Sequence, residues 1–238
     1  MKVLIDTSVF HHAAATRSEW KDNGTKLWGG EIPIQTGWIQ TVESGHPISA
    51  SKGGEQTWYI SALAEAFQDG LVEAHTTDAL DIERMCEDRA RKRSTQLGAA
   101  SLFQGLKLLG HTTLPNLQIS IRADDPKTQL RQEISRQKDQ TFRDILAAID
   151  QVRSTEKNSQ DAWHLRCTLA LGLDTFLTTD TKLIGQIKSI AKQEIRTRLL
   201  EAVKLPSTLC DQLKITPHSD AQFERYVVRL TGFPYARR

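Results

Sequence analysis

The chain has 238 residues, of which 39% are hydrophobic and 25% are charged, and its formal net charge is +2. This composition excludes an intrinsically disordered chain and predicts a globular protein long enough to bury a core. The three cysteines form no CxxC pair, which argues against a disulfide framework and a cysteine zinc site. We expect a cytoplasmic protein without a membrane partner, because we find no secretory signal and no apolar run of about 18 residues.

The first element is a short strand. Residues Lys2 to Ile5 read Lys-Val-Leu-Ile, and such a continuous apolar run is typical of a parallel strand that is buried on both faces. Asp6 follows at the carboxyl end of this strand. Residues 11–57 are rich in glycine and polar residues, and we interpret them as an insertion that contains a hairpin around Ile32 to Val42.

Helices and strands alternate through the middle of the chain. Apolar residues recur at helical spacing from Trp58 to Phe67, a strand is predicted over 71–77, and a helix that carries Glu83 begins at residue 78. Further on, the pattern predicts a helix over 97–109 and a strand over 117–121.

The next segment begins at an unambiguous helix start. In the pair Asp125-Pro126, an N-cap residue precedes proline at the first helical position. The apolar spacing that follows predicts one long helix, or two in series, up to residue 152.

The third part of the chain repeats the helix and strand order. Ser159 opens a helix that ends at Gly172, and a strand follows over Thr175 to Thr178. Asp180 then starts a turn before another helix. One more strand is predicted near residues 213–216. This alternation predicts an α/β fold with a mostly parallel central sheet, in a single domain over residues 1–238 with a C-terminal extension from about residue 192.

Acidic residues follow or flank these elements in a way that suggests a site. In a parallel sheet, sites form beyond the carboxyl ends of the strands, and Asp6, Glu83, Asp161 and Asp180 are all expected near that edge. Carboxylates gathered in a cleft repel each other, and a divalent cation relieves the repulsion. One or two Mg²⁺ or Mn²⁺ ions held in this way suit the hydrolysis of a phosphodiester bond.

Each of these acids also has an ordinary structural explanation. Asp6 and Asp180 are suited to capping helices, and Asp161 is favoured by the dipole at a helix N-terminus. Glu83 is compatible with a solvated position on a helix. The order of all four along one chain makes the shared site the more attractive hypothesis.

Two stretches of the sequence resemble the PIN-domain nuclease family, whose best-known small members are VapC-type ribonuclease toxins. The start, from Met1 to Ser8, is similar to the first strand and first acid of that family. The stretch from Asp161 to Leu165, continuing to Gly172 and to Phe176-Leu177-Thr178-Thr179-Asp180, is similar to its last two acids.

The resemblance implies a three-layer α/β/α sandwich, Mg²⁺ or Mn²⁺ as cofactor, and endonucleolytic cleavage, usually of RNA. Glu83, six residues after Thr77, is similar to the remaining acid of the family. Thr178 and Ser8 resemble hydroxyl residues that support the acids. Resemblance to the toxin members also implies a homodimer and a cognate antitoxin protein as partners. The segments 11–57 and 84–135 and the tail after about residue 192 lie outside the resemblance.

A basic stretch follows the helix that carries Glu83. Its cations are placed to bind a phosphate backbone, or else to stabilise a helix C-terminus in solvent. They are Arg84, Arg89, Arg91, Lys92 and Arg93.

Two other functions remain open from the sequence. One is a catalytically silent PIN-like module that binds RNA or a protein. The other is a structure-specific DNA nuclease with similar carboxylates.

Overall fold

The computed structural model describes residues 1–13, 16–43, 56–85, 101–117 and 125–231. Its strands fall into two sheets, and in chain order they are β1 (Lys2–Ile5), β2 (Thr16–Trp28), β3 (Ile32–Glu43), β4 (Glu73–Thr77), β5 (Leu109–His111), β6 (Thr175–Leu177) and β7 (Val203–Lys204).

The helices alternate with the strands, as the sequence predicted. In chain order they are α1 (Thr7–His12), α2 (Gln56–Gln68), α3 (78–85), α4 (Pro126–Arg136), α5 (Gln140–Val152), α6 (Asn158–Ala170), α7 (Thr181–Lys188), α8 (Gln193–Ala202), α9 (Pro206–Leu213) and α10 (Asp220–Thr231). None of these described helices is both long enough and apolar enough to cross a membrane.

The main sheet has five strands in the order β5-β4-β1-β6-β7, and every neighbouring pair is parallel. Side chains alternate across β1, so that Val3 and Ile5 pack on one face of the sheet and Leu4 on the other. Helices α1, α2, α9 and α10 cover the first face, and α3 to α8 cover the second. The predicted α/β fold with a parallel sheet is confirmed, and the arrangement is compatible with three layers.

The register of the central strands determines where the site forms. Ile5 of β1 lies beside Leu177 of β6, so the residues that follow both strands emerge side by side. The backbone N–H of Asp6 donates to the carbonyl oxygen of Leu177 at 2.9 Å. The chain is therefore fastened at the point where its first acid leaves the sheet.

The hairpin in the insertion is larger than the sequence suggested. Residues 32–42 were expected to hold a whole hairpin, but they form one strand, and the partner strand lies before them over Thr16–Trp28. Gly29 and Gly30 occupy the turn with φ of 62° and 84°, a conformation that glycine adopts without a steric penalty. The glycine pair therefore marks the turn, and the pairing begins well before it.

Two predicted elements are wrong. Residues 102–108 form turns and irregular backbone where a helix was predicted over 97–109, and a strand follows over Leu109–His111. The first four residues of the predicted helix, 97–100, lie outside the described residues. The carboxylate of Asp78 accepts hydrogen bonds from the backbone N–H groups of Thr113 and Leu114 at 3.0 and 2.8 Å. This contact holds the end of β5 against the sheet edge, so tertiary contacts override the local helical spacing. Most of the strand predicted over 117–121 lies outside the described residues.

The strand predicted near residues 213–216 is also wrong. Residues Pro206–Leu213 form α9, which ends at Lys214 with φ of 56°, and irregular backbone follows. Of the two alternatives for the segment that starts at Asp125-Pro126, the pair of helices α4 and α5 is confirmed.

Candidate active site

Asp6 lies at the carboxyl end of β1 and is held by two hydroxyl groups. Its Oδ2 accepts hydrogen bonds from Ser8 Oγ and Thr178 Oγ1, both at 2.6 Å. The two hydroxyl oxygens are 3.2 Å apart. Asp6 is buried and caps no helix with its side chain, so the capping explanation does not apply to it. Ser8 and Thr178 thus orient the first acid.

Asp180 precedes α7, where it both caps the helix and takes part in the acidic cluster. Its Oδ1 accepts from the backbone N–H groups of Lys182 and Leu183 at 2.9 and 3.1 Å, which caps the helix. Its Oδ2 accepts from Lys157 Nζ at 2.7 Å. Burial acts against ionisation, but the hydrogen bonds and the charge of Lys157 outweigh it and hold the pKa of Asp180 below its usual value. The cap also fixes the direction of the carboxylate.

Asp161 lies in the first turn of α6 and is 7% exposed. Burial raises the pKa of Asp161 to about 7, and the charges of Asp6 and Asp180 raise it further, whereas Lys157 opposes the shift. The distance from Lys157 Nζ to Asp161 Oδ1 is 3.5 Å. An Asp whose carboxyl protonates near neutral pH has a perturbed environment of the kind found at functional sites.

Glu83 on α3 is not a solvated glutamate. Its Oε1 accepts hydrogen bonds from Gln160 Nε2 at 2.7 Å and from His164 Nε2 at 2.9 Å, and its Oε2 accepts from Thr7 Oγ1 at 3.4 Å. His164 is 1% exposed. Burial disfavours its charge, but the adjacent Glu83 carboxylate raises the pKa of His164. Glu83 is therefore anchored to α6, the helix that also carries Asp161.

The structure places Asp6, Asp161 and Asp180 within electrostatic range of one another, and His164 links Glu83 to them. Asp161 interacts electrostatically with Asp6 and Asp180, and the charge of His164 is influenced by Glu83, Asp6 and Asp161. The acids come from four separate segments that meet at the carboxyl edge of the sheet. Parallel topology accounts for this, because it gathers the ends of β1, β4 and β6 at one edge.

Sequence reasoning did not identify three residues of this cluster. Lys157, Gln160 and His164 are spaced three or four residues apart, so they share one face of α6 with Asp161. That spacing was a usable signal. His164 is buried and its Nε2 hydrogen-bonds to Glu83 on α3.

The donor chemistry of the cluster suits a hard divalent cation, because all four acids offer carboxylate oxygens. Their spacing does not enclose an ion: among the described residues, no group of three or more His, Cys, Asp or Glu side chains is arranged to hold a metal ion. Lys157 lies between Asp161 and Asp180, where its ammonium group contacts both carboxylates.

Arg84, one of the predicted phosphate-binding residues, is engaged within the fold. Its guanidinium pairs with Asp81, donates to Thr76 Oγ1 at 3.4 Å and lies 4.5 Å from the ring centre of Phe10. These contacts compete with binding to a phosphate. The other predicted cations lie outside the described residues, and they are Arg89, Arg91, Lys92 and Arg93.

Comparisons with protein-family models, with curated proteins and with solved structures find no match for this chain.

Proposed function

We propose that the protein is a divalent-metal-dependent endonuclease with a PIN-like fold and that its substrate is RNA. One observation carries the proposal: four carboxylates from distant segments converge at the carboxyl edge of a parallel sheet, and the pKa of Asp161 among them is raised to about 7. A protein that gathers repelling carboxylates at such an edge has a use for a cation there. The sequence resemblance to PIN-domain nucleases favours RNA as the substrate.

The contacts of each acid suggest a division of roles. Both hydroxyl contacts to Asp6 fall on Oδ2, and both helix-capping bonds to Asp180 fall on Oδ1. Each carboxylate thus keeps one oxygen clear of those bonds, and these oxygens would be direct ligands of Mg²⁺ or Mn²⁺. Such an ion supplies charge neutralisation at phosphorus and activation of water.

Asp161 and Glu83 would act beside those ligands. Asp161 has a pKa close to neutrality, so it would release a proton as a cation binds next to it. Glu83 already accepts hydrogen bonds from Gln160 and His164 on one oxygen. We therefore assign it to orienting the attacking water, because a carboxylate held at a fixed angle is suited to positioning.

The test is a cleavage assay with labelled single-stranded RNA and DNA, in Mn²⁺ or Mg²⁺ and then in EDTA. Asp6→Asn and Asp180→Asn should each reduce RNA cleavage by about 100-fold or more. Asparagine is as good a helix cap as aspartate, so Asp180→Asn should fold normally. Asp144→Asn is a matched control, because Asp144 is an exposed acid on α5 whose carboxylate bonds to Gln140.

The alternatives give different results. Cleavage of DNA but not RNA would indicate a DNA nuclease. Binding of RNA without cleavage, together with no Mn²⁺-dependent change in Tm, would indicate a silent module. Undiminished cleavage by both Asp6→Asn and Asp180→Asn would refute the assignment of the site.

A further inference from the structure

We propose that Lys157 is a tethered counter-ion of the acidic cluster, and that a divalent cation binds only by displacing its ammonium group. This inference rests on the proposed function, because it concerns the same carboxylates. In this proposal, Lys157, which is not one of the predicted acids, sets the affinity of the site for metal.

The geometry places the ammonium group against two carboxylates of the proposed site. Lys157 Nζ is 2.7 Å from Asp180 Oδ2 and 3.5 Å from Asp161 Oδ1. The Asp180 oxygen that it occupies is the one that the helix cap leaves clear. A metal ion that uses this oxygen must therefore take it from Lys157.

The electrostatics show that the ammonium is held as a cation. The Lys157 ammonium lies beside the carboxylates of Asp161 and Asp180, whose charge is opposite to its own, and a lysine amine is ordinarily protonated well above neutral pH. Lysine therefore remains charged throughout the neutral range and neutralises part of the repulsion within the cluster. A divalent ion that uses the same Asp180 oxygen would compete with the ammonium group for it.

The position of Lys157 in the fold allows the exchange. It immediately precedes α6, one helical turn before Asp161, and its side chain is 55% exposed. A lysine side chain has a flexible four-carbon stem, so the ammonium can swing into solvent without a change in the backbone.

The test compares Mn²⁺ binding by the full chain and its variants after treatment with EDTA and dialysis. Lys157→Met should lower the Kd for Mn²⁺ by about tenfold, because the variant loses a competing cation that contacts two carboxylates. The same variant should have a lower Tm than the wild type in EDTA and a larger rise in Tm on addition of Mn²⁺. Lys157→Arg keeps the positive charge and should bind Mn²⁺ much as the wild type does.

Lys182→Met is the matched control for the loss of a nearby charge. Lys182 is an exposed lysine in the first turn of α7, and only its backbone N–H contacts Asp180. Its replacement should leave the Kd for Mn²⁺ within about twofold, because exposed charges are screened by solvent and salt. If Lys182→Met lowers the Kd for Mn²⁺ by as much as Lys157→Met does, the proposal is overturned, because loss of any nearby positive charge would then account for the change.

Two further outcomes separate this inference from the proposed function. If the wild type binds Mn²⁺ and Lys157→Met binds it equally or more weakly, Lys157 is not a competitor, and the nuclease proposal stands without it. If neither protein binds Mn²⁺, both proposals fail. Binding by Lys157→Met alone would support the inference, because it would show that the lysine keeps the ion out of the wild-type site.

Discussion

Replacing Asp161 by asparagine should stabilise the protein at pH 8 in EDTA, although it removes a residue of the proposed site. Asp161 is buried among other carboxylates, and its pKa is raised from 3.8 to about 7. A buried acid with a raised pKa opposes folding when it is charged. Asparagine has nearly the same shape and carries no charge, so this penalty should disappear.

The magnitude follows from the difference between the folded and unfolded pKa values. A pKa raised from 3.8 to about 7 corresponds to roughly 4 kcal/mol at most, because each pH unit is worth about 1.4 kcal/mol. The attraction of Lys157 is already included in this pKa, but the folded chain and nearby solvent relax around a buried charge and reduce the gain below this upper limit. We expect Asp161→Asn to gain about 1 to 3 kcal/mol at pH 8.

The stability difference between Asp161→Asn and the wild type should depend on pH. The stability that the protonated form of Asp161 contributes is fully present below the unfolded value of 3.8 and is lost as the pH rises to about 7. Urea denaturation of the wild type and Asp161→Asn from pH 5 to pH 8 should therefore show the variant's advantage growing with pH. The exposed Asp144→Asn variant should track the wild type. An Asp161→Asn variant that is less stable than the wild type by a constant amount at every pH would refute the reasoning.

Two further predictions concern the scaffold of the site. Gly172 follows α6 with φ of 60°, so Gly172→Ala should lower the free energy of unfolding in urea by about 1 kcal/mol. Gly185 lies within α7, and a Cβ added there meets open space, so Gly185→Ala should raise the free energy of unfolding by roughly 0.5–1 kcal/mol. Equal effects of the two variants would contradict the role of backbone conformation. Asp139 caps α5 through Phe142 N at 2.8 Å and binds Arg166 of α6 at 2.6 Å, so Asp139→Ala should cost about 2 kcal/mol by thermal denaturation, and Asp139→Asn, which keeps the cap, should cost less.

Several features of the fold could be predicted from short stretches of the sequence. The apolar run of residues 2–5 predicted a buried parallel strand, and the structure places it at the centre of the sheet. The pair Asp125-Pro126 marked the start of α4, because proline is favoured at the first helical position, where its fixed φ suits the helix and its missing N–H is not needed. In each case the determining forces act within a few residues, so the pattern was visible in the sequence.

Other features depended on contacts between distant residues. The segment Leu109–His111 forms the edge strand β5 because it pairs with β4, and no alternation in three residues reveals such a partner. The Gly29-Gly30 turn was visible, but the length of the strand before it depends on cross-strand pairing.

The acidic cluster shows the same division. The order of the four acids and their positions near strand ends predicted that they lie at one edge of the sheet, and the structure shows Asp6, Asp161 and Asp180 interacting there, with Glu83 joined through His164. The spacing placed Lys157 and His164 on the same helix face as Asp161, but it did not reveal which acid each one meets, because Lys157 and Asp180 are 23 residues apart and His164 and Glu83 are 81 apart. Sequence spacing places residues on a face of one helix, and only the packing of α3, α6 and α7 decides which charge meets which. The raised pKa of Asp161 and the position of the Lys157 ammonium are therefore properties of the tertiary structure, since burial and the distances between charges exist only after the chain has folded.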